Sequence, residues 1–191
     1  AGDENSTWDA FRHSILAGLS AGISGIPFWG WDIGGFSSEI PTAELYLRSA
    51  AMAVFCPIMQ YHSEFNQHHE PHVDRTPWNI QERTGDERVI PTFRLLMNMR
   101  HNLMPYIWQE AQYSVQTGQP MMRALALQHS QASPYQYMFG RDLLVSPVVE
   151  ESATSWPVYL PEGEWVDLWN HELFTGSQSV RLDVPLDRIP V

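Results

Sequence analysis

The sequence predicts an α/β fold that gives way to an antiparallel β module at about residue 142. Up to that residue, amphipathic helical patterns alternate with short apolar runs, which is typical of parallel strands buried on both faces. Beyond it, short runs of period two are separated by turn residues, as in antiparallel sheets. The 191 residues are 43% hydrophobic and 17% charged, which indicates a globular chain and excludes a disordered or fibrous one.

The first half of the chain shows two helical patterns and one apolar segment between them. Residues 5–7 offer capping oxygens before a run with helical spacing over 8–19. The segment 25–31 has no polar face and therefore predicts a strand buried on both sides. A second amphipathic helix is expected from Thr42 to just before Pro57.

The middle of the chain predicts a loop, a long helical region and a further strand. Residues 60–86 are polar and rich in His, and long loops in compact domains are usually functional. A helical pattern runs over 88–117, and Pro105 inside it predicts two helices end to end. The run 120–128 predicts another buried strand.

The last part of the chain has the strand pattern of an antiparallel sheet. The runs of period two are 143–149, 158–160, 165–169 and 180–184, and residues 161–164 carry a hairpin turn signal. The two βα units before them are too few for a closed parallel barrel, which needs eight units and roughly 200 residues or more. We therefore expect the chain to be part of a longer protein.

Charge and cysteine content limit the classes of partner. All 11 basic residues are Arg and face 22 acidic residues, giving a net charge of −11. Such a chain repels phosphate backbones and anionic lipids, so neither nucleic acid nor a membrane is an expected partner. The single Cys56 has no disulfide partner in the chain and is either a buried small side chain or a reactive thiol. Cellular compartment and oligomeric state are not encoded in these features.

Three polar residues fall where α/β folds place active sites, at or after the carboxyl ends of strands: Asp3, Asp32 and His62. Each has a structural alternative, as a helix cap for Asp3, a turn-forming residue for Asp32 and a hydrogen-bonded core residue for His62. Asp32 follows an aromatic run and precedes two glycines. A carboxylate beside aromatic rings is suited to bind sugar hydroxyls while the rings cover the sugar face.

Several other chemistries are excluded by spacing. The histidines at 62, 68, 69 and 72 match no common zinc motif, so no metal is expected. The sequence contains no Gly-x-Ser-x-Gly elbow, no phosphate loop and no dinucleotide fingerprint. We therefore expect no cofactor and no serine nucleophile.

The motifs together resemble one family. Gly2–Trp8 resembles the acid/base segment of glycoside hydrolase family 31, the α-glucosidase and α-xylosidase family. Gly25–Phe36, with its Asp-Ile-Gly-Gly-Phe loop, is similar to the next strand of that family. Pro120–Ala124 and Tyr137–Val148 resemble the last barrel strand and the passage after it, and Tyr159–Trp165 resembles the proximal C-terminal β-domain. The resemblance covers essentially the whole chain in order.

The resemblance implies both a fold and an activity. It implies the C-terminal portion of a catalytic (β/α)8 TIM barrel over 1–142 and the start of a β-sandwich domain over 143–191. The implied activity is that of a retaining α-glycoside hydrolase, an α-glucosidase releasing terminal α-linked glucose from an oligosaccharide or small α-glycoside. The alternatives are α-xylosidase, sulfoquinovosidase or transglucosidase activity, or a non-catalytic regulatory subunit.

The resemblance also assigns roles to residues. It implies that Asp3 is the acid/base of a double displacement. It implies that Asp32 and His62 bind hydroxyls of the non-reducing sugar, and that Trp29 and Phe36 shape the pocket around it.

Two further expectations come from the same resemblance. The family's nucleophile lies upstream of the acid/base segment, so it is expected outside this chain, and the chain alone is expected to be inactive. Many relatives have an Arg two residues before the active-site His, where this sequence has Gln60, which changes the charge expected beside His62.

Overall fold

The computed structural model describes residues 4–64 and 70–191. Its first part is built on four helices, which are α1 (Trp8–Ile23), α2 (Ala43–Val54), α3 (Pro77–Thr84) and α4 (Val89–Thr117). Both helices predicted in the first half are confirmed, together with their capping residues. The side chain of Thr7 accepts the Ala10 N–H at 3.1 Å, and that of Thr42 accepts the Leu45 N–H at 3.3 Å.

The extended segments between the helices lie side by side and run parallel. Asp32 pairs with Gln60 in a parallel bridge, and the Ile33 N–H donates to the Gln60 carbonyl at 3.1 Å. Two residues further back, the Ile58 N–H donates to the Trp29 carbonyl at 3.1 Å. This arrangement of strand-like segments and helices is that of neighbouring units in a parallel barrel.

The segment 25–31 differs from the prediction of a strand buried on both sides. It is extended but forms no regular ladder, and Ile26 and Phe28 are 57% and 40% exposed. A parallel strand becomes buried through neighbours on both edges and both faces. Within the described residues this segment has the extended segment around Ile58 on one edge and α1 on one face, so its other surfaces remain open.

The helix α2 forms the centre of the core. Every residue of α2 except Glu44 is buried, as expected for a helix that is apolar on nearly all sides. Tyr46 stacks on Phe93 of α4 with ring centroids 5.6 Å apart. Cys56, just beyond the helix, is fully buried, which decides between its two alternatives, and burial raises the pKa of its thiol to about 12.

The prediction of two helices around Pro105 is wrong, because α4 is one helix of 29 residues. The proline ring removes one hydrogen bond, to the carbonyl of exposed His101, which water can satisfy. Phe93 before the proline and Ile107 after it are both buried, so packing holds the helix together across the gap. Across residues 4–64 and 70–191, no helix is long and apolar enough to cross a membrane.

The antiparallel pattern predicted from residue 143 onward is confirmed, but antiparallel pairing begins earlier than predicted, at Met122. Seven short strands form three sheets within the described residues: β1 (Met122–Ala124), β2 (Tyr137–Phe139) and β3 (Leu143–Val145) in one sheet, β4 (Ser155–Leu160) with β7 (Gln178–Asp183), and β5 (Glu164–Val166) with β6 (Leu173–Thr175). The strand predicted over 120–128 is shorter, because a 3₁₀ turn follows β1 at Leu125–Leu127. β2 and β3 pair across residue 142, and the domain division placed there stays a prediction.

A buried arginine joins the two parts. Arg48 of α2 is 4% exposed, and its guanidinium lies in the turns of the β module. Its Nη1 donates to the carbonyls of Pro185 and Arg188 at 3.1 and 3.2 Å, and its Nη2 donates to those of Ala153 and Val184 at 2.9 and 2.7 Å. These bonds attach the β module to the core helix of the first part.

Candidate active site

Asp32 and Gln60 form the centre of the candidate site. Asp32 ends an extended segment and is 4% exposed, and its Oδ1 accepts a hydrogen bond from Gln60 Nε2 at 2.7 Å. The backbone bridge between the same two residues fixes their side chains on neighbouring strand ends. The partner is the neutral amide of Gln60, which orients the Asp32 carboxyl group.

The loop after Asp32 is closely apposed to the segment that follows Asp3. The carbonyl of Glu4 accepts the N–H groups of Phe36 and Ser37 at 2.7 and 3.1 Å. Gly35 has a φ of +93°, and a Cβ at this position would lie 2.7 Å from the Asn5 carbonyl oxygen. Glycine is therefore required both for the turn and for the close approach of the two segments.

Phe36 and His62 face each other beside this loop. Their ring centroids are 5.3 Å apart with an interplanar angle of 51°. The Glu64 N–H donates to the Phe36 carbonyl at 3.0 Å, and the Ser38 N–H donates to Glu64 Oε1 at 3.1 Å. The structure thus brings together three of the predicted site regions, at 32, 36 and 62.

Trp29 packs on α1 and also lines an open cavity next to Gln60. Its indole lies against α1, where a Cβ on Gly18 would lie 2.5 Å from the ring. Trp31, on the same side of the segment, stacks on Phe11 of α1 at 5.1 Å. Phe28 is 40% exposed, and it borders an open cavity of about 510 Å³ that Gln60 also lines.

The predicted acid/base Asp3 lies outside the described residues, as do His68 and His69. Within the described ranges, no group of three His, Cys, Asp or Glu side chains is arranged to hold a metal ion. The surroundings of Asp32 combine a carboxylate, an amide, an imidazole and an aromatic ring.

Arg75 is the residue at the site that sequence reasoning missed. It is 1% exposed, and its guanidinium lies under the loop 35–39. No local pattern separates it from Arg83, which is eight residues away, partly exposed and paired with Glu39 on the surface. Only the folded loop shows which of the two arginines is enclosed.

Comparison with family models decides the family. The model of the glycosyl hydrolases family 31 TIM-barrel domain matches residues 1–110, and that of the glycosyl hydrolase family 31 C-terminal domain matches residues 118–191. The chain belongs to glycoside hydrolase family 31. Its fold is the C-terminal part of that family's (β/α)8 barrel followed by an antiparallel β domain.

The chain is also similar to individual family 31 proteins. It is 50% identical to a 1,3-alpha-isomaltosidase of Kribbella flavida, covering 100% of this chain and 27% of that protein. It is 43% identical to an isomaltosyltransferase of Sporosarcina globispora, covering 100% of this chain and 18% of that protein.

A solved structure shows the same fold at high similarity. The cycloalternan-degrading enzyme from Trueperella pyogenes matches with a TM-score of 0.95 and 49% identity, over 100% of this chain and 28% of that one. That enzyme has also been solved in complex with isomaltose and with a covalent intermediate. The chain therefore spans less than a third of the length of these relatives.

Proposed function

We propose that the chain is part of a longer retaining α-glycosidase that acts on α-linked gluco-oligosaccharides. The observation that carries the proposal is the buried Asp32 carboxylate, held by Gln60 at the end of a barrel segment in a family 31 chain. A retaining glycosidase uses two carboxyl groups, one as nucleophile and one as acid/base.

In this proposal Asp3 is the acid/base. Its carboxylic acid transfers a proton to the glycosidic oxygen while a carboxylate from outside this chain attacks the anomeric carbon and the C–O bond breaks. The resulting carboxylate of Asp3 then takes a proton from water as the hydroxyl oxygen attacks the glycosyl-enzyme and releases the nucleophile. The sugar leaves with the anomeric configuration it had in the substrate.

Asp32, His62 and Phe36 are proposed to hold the non-reducing sugar. A buried carboxylate forms charge-assisted hydrogen bonds to hydroxyl groups, and these bonds are stronger than bonds between neutral groups. The Phe36 ring, which contacts His62, offers an apolar face for the sugar ring. Trp29 is proposed to shape the pocket, which is supported by its place in the lining of the open cavity next to Gln60.

The names of the similar proteins favour an isomaltosyl unit as the group that is released. Two of them are named for isomaltosidase or isomaltosyltransferase activity, at 50% and 43% identity. The proposed released unit is therefore a disaccharide in place of the terminal glucose expected from the sequence. Transfer to a second sugar is the second candidate, supported by the isomaltosyltransferase.

A substrate panel on the full-length protein tests the proposal. The panel contains an oligosaccharide with an α-1,3-linked isomaltosyl unit, maltose, an α-xyloside and a sulfoquinovoside. We expect isomaltose as the first product from the first substrate and slower reaction with the others. Release of xylose in preference to isomaltose, or no reaction with any α-glucoside, would contradict the proposal. A growing oligosaccharide product would identify transfer instead of hydrolysis.

A further inference from the structure

The guanidinium of Arg75 is enclosed in the loops next to Asp32. Nε donates to the Gly35 carbonyl at 3.1 Å, and Nη1 contacts the Val73 carbonyl. Nη2 lies within hydrogen-bond distance of four acceptors: the carbonyls of Ser37, Ser38 and Glu39 at 2.9, 3.1 and 3.1 Å, and Ser6 Oγ at 2.8 Å. Among the described residues, the acceptors are five carbonyls and one hydroxyl, and none of them is a carboxylate.

A buried cation of this kind is costly unless its donors are all used. Removing a guanidinium from water carries the desolvation penalty of any buried ion, and only good hydrogen-bond geometry offsets this penalty. Burial lowers the pKa of Arg75, while nearby Glu64 and Glu39 act in the opposite direction. An apolar side chain would fill the same space without this penalty, so the donors themselves are what the loop requires.

The acceptors of Arg75 belong to the two segments that meet at the site. Ser6 lies three residues after Asp3, and Gly35 to Glu39 form the loop that carries Phe36. The same two segments are joined directly, since the Phe36 and Ser37 N–H groups donate to the Glu4 carbonyl. Arg75 therefore binds both segments: the one that follows Asp3 and the loop that carries Phe36.

We propose that Arg75 is a positioning residue that holds the segment following Asp3 and the Phe36 loop at a fixed separation. It contacts no substrate in this account. Its effect is to keep the proton donor aligned with the leaving oxygen of a sugar whose ring is held by the loop. This inference rests on the proposed function, since Asp3 is the proton donor only in a glycosidase.

Arg48 offers a matched control. It is also a buried arginine bound to backbone carbonyls, but its acceptors lie at 153 and 184–188 in the β module, away from the Asp32 loop. Loss of Arg48 removes the same type of interaction without touching the site. Arg75→Met and Arg48→Met thus separate a general cost of losing a buried guanidinium from a specific effect on the site.

The first test is amide hydrogen exchange in the full-length protein. In Arg75→Met we expect the exchange of the Phe36 and Ser37 amides to rise about tenfold or more, because local opening becomes easier. In Arg48→Met these two amides should exchange as in the wild type. Unchanged exchange in Arg75→Met would overturn the proposed positioning role of Arg75, and this readout does not depend on enzymatic activity.

The second test compares two leaving groups. Cleavage of an isomaltosyl α-1,3 oligosaccharide depends on protonation of the leaving oxygen. Cleavage of a nitrophenyl α-glycoside depends on it only weakly. We expect Arg75→Met to lower kcat/KM about 100-fold for the first and less than about tenfold for the second, because general-acid catalysis is lost. Arg75→Lys should recover part of the difference, since it keeps the charge with fewer donors.

An equal loss on both substrates would overturn the positioning role, and so would an altered ratio in Arg48→Met. If Arg75→Met does not fold, Ser6→Ala removes one acceptor and leaves the guanidinium in place. It should shift the ratio in the same direction by a smaller factor, and an unchanged ratio would again overturn the proposal. A wild-type protein without α-glycosidase activity would refute the proposed function. The exchange experiment would still decide whether Arg75 holds the Phe36 loop against the segment that follows Asp3.

Discussion

The Arg75 loop region and the Arg48 junction are held by the same interaction, a buried guanidinium surrounded by backbone carbonyls. They differ in what surrounds the arginine. Arg48 projects from α2, in which every residue except Glu44 is buried, into the turns of the β module at 153 and 184–188. Around Arg75 the backbone at 35–39 forms turns without a ladder, so the guanidinium supplies donors that a sheet would otherwise supply.

This difference separates stability from site geometry. Arg48 attaches the β module to the core helix α2. Arg75 is proposed to set the positions of the loop and the segment that carry the proposed site residues. Variants at the acid/base segment, the junction, the Asp32 pair and the Cys56 region probe the comparison from its largest expected effect to its smallest.

The largest effect is expected at the segment that Arg75 is proposed to hold. In the full-length protein, Asp3→Ala should lower hydrolysis of isomaltosyl oligosaccharides by about 1,000-fold, because the proposed proton donor is lost. Activated aryl glycosides should retain glycosylation, and azide should restore turnover and yield a β-glycosyl azide. Asp9→Ala, at an exposed position in the first turn of α1, is the control and should keep wild-type rates. Unchanged activity of Asp3→Ala on oligosaccharides would contradict the assignment.

Loss of Arg48, which joins α2 to the β module, is expected to lower the stability of the protein and to leave its catalytic rate unchanged. Arg48→Met leaves the carbonyls of Ala153, Val184, Pro185 and Arg188 without this donor. We expect a loss of about 3 kcal/mol in unfolding free energy, since buried unsatisfied groups cost about 1–3 kcal/mol each before relaxation. Denaturant unfolding of the full-length protein, with kcat/KM measured on the native fraction, checks both parts. A variant with wild-type stability and impaired kcat/KM would contradict the assignment of Arg48 to stability and not to site geometry.

A smaller effect is expected at Gln60. Gln60→Leu removes the donor to Asp32 Oδ1, so the carboxylate loses its orientation but keeps its charge. We expect kcat/KM to fall about tenfold, which corresponds to one hydrogen bond of about 1.4 kcal/mol. The matched control is Gln116→Leu on the exposed face of α4, which should be neutral. Wild-type kinetics in Gln60→Leu would show that the Asp32 orientation has another source.

The smallest effect is expected near a third carbonyl-bound arginine. Arg100 donates to the carbonyls of Val54, Cys56 and Pro57, and burial raises the pKa of the Cys56 thiol from 9.0 to about 12. The neutral thiol is favoured in the fold, so its contribution to stability is complete below pH 9.0 and is lost as the pH rises toward about 12. Thermal midpoints from pH 8 to 11 should fall less steeply for Cys56→Ala than for the wild type. Identical slopes would refute this contribution.

The sequence predicted the elements whose cause is local. Spacing and capping residues placed α1 and α2, and the change to period two placed the antiparallel region. It also drew attention to Asp32, Phe36 and His62, which the structure brings close together. These predictions succeed because helical spacing, capping and turn chemistry are properties of short stretches of chain.

The sequence did not predict features that depend on distant partners. Pro105 lies inside one helix because residues on both sides of it are buried against the core. Trp29 lies on α1 because Gly18 leaves space for its ring. Arg75 is enclosed by the loop at 35–39, a contact that spans more than 35 positions and has no local signature.

The most direct test of the account is the anomeric configuration of the product. Full-length protein is mixed with an α-1,3-linked isomaltosyl oligosaccharide, and the reducing-end proton of the released sugar is followed by NMR from the first minute. A retaining double displacement predicts that the α-anomer appears first and the β-anomer follows by mutarotation. Initial formation of the β-anomer would contradict the account.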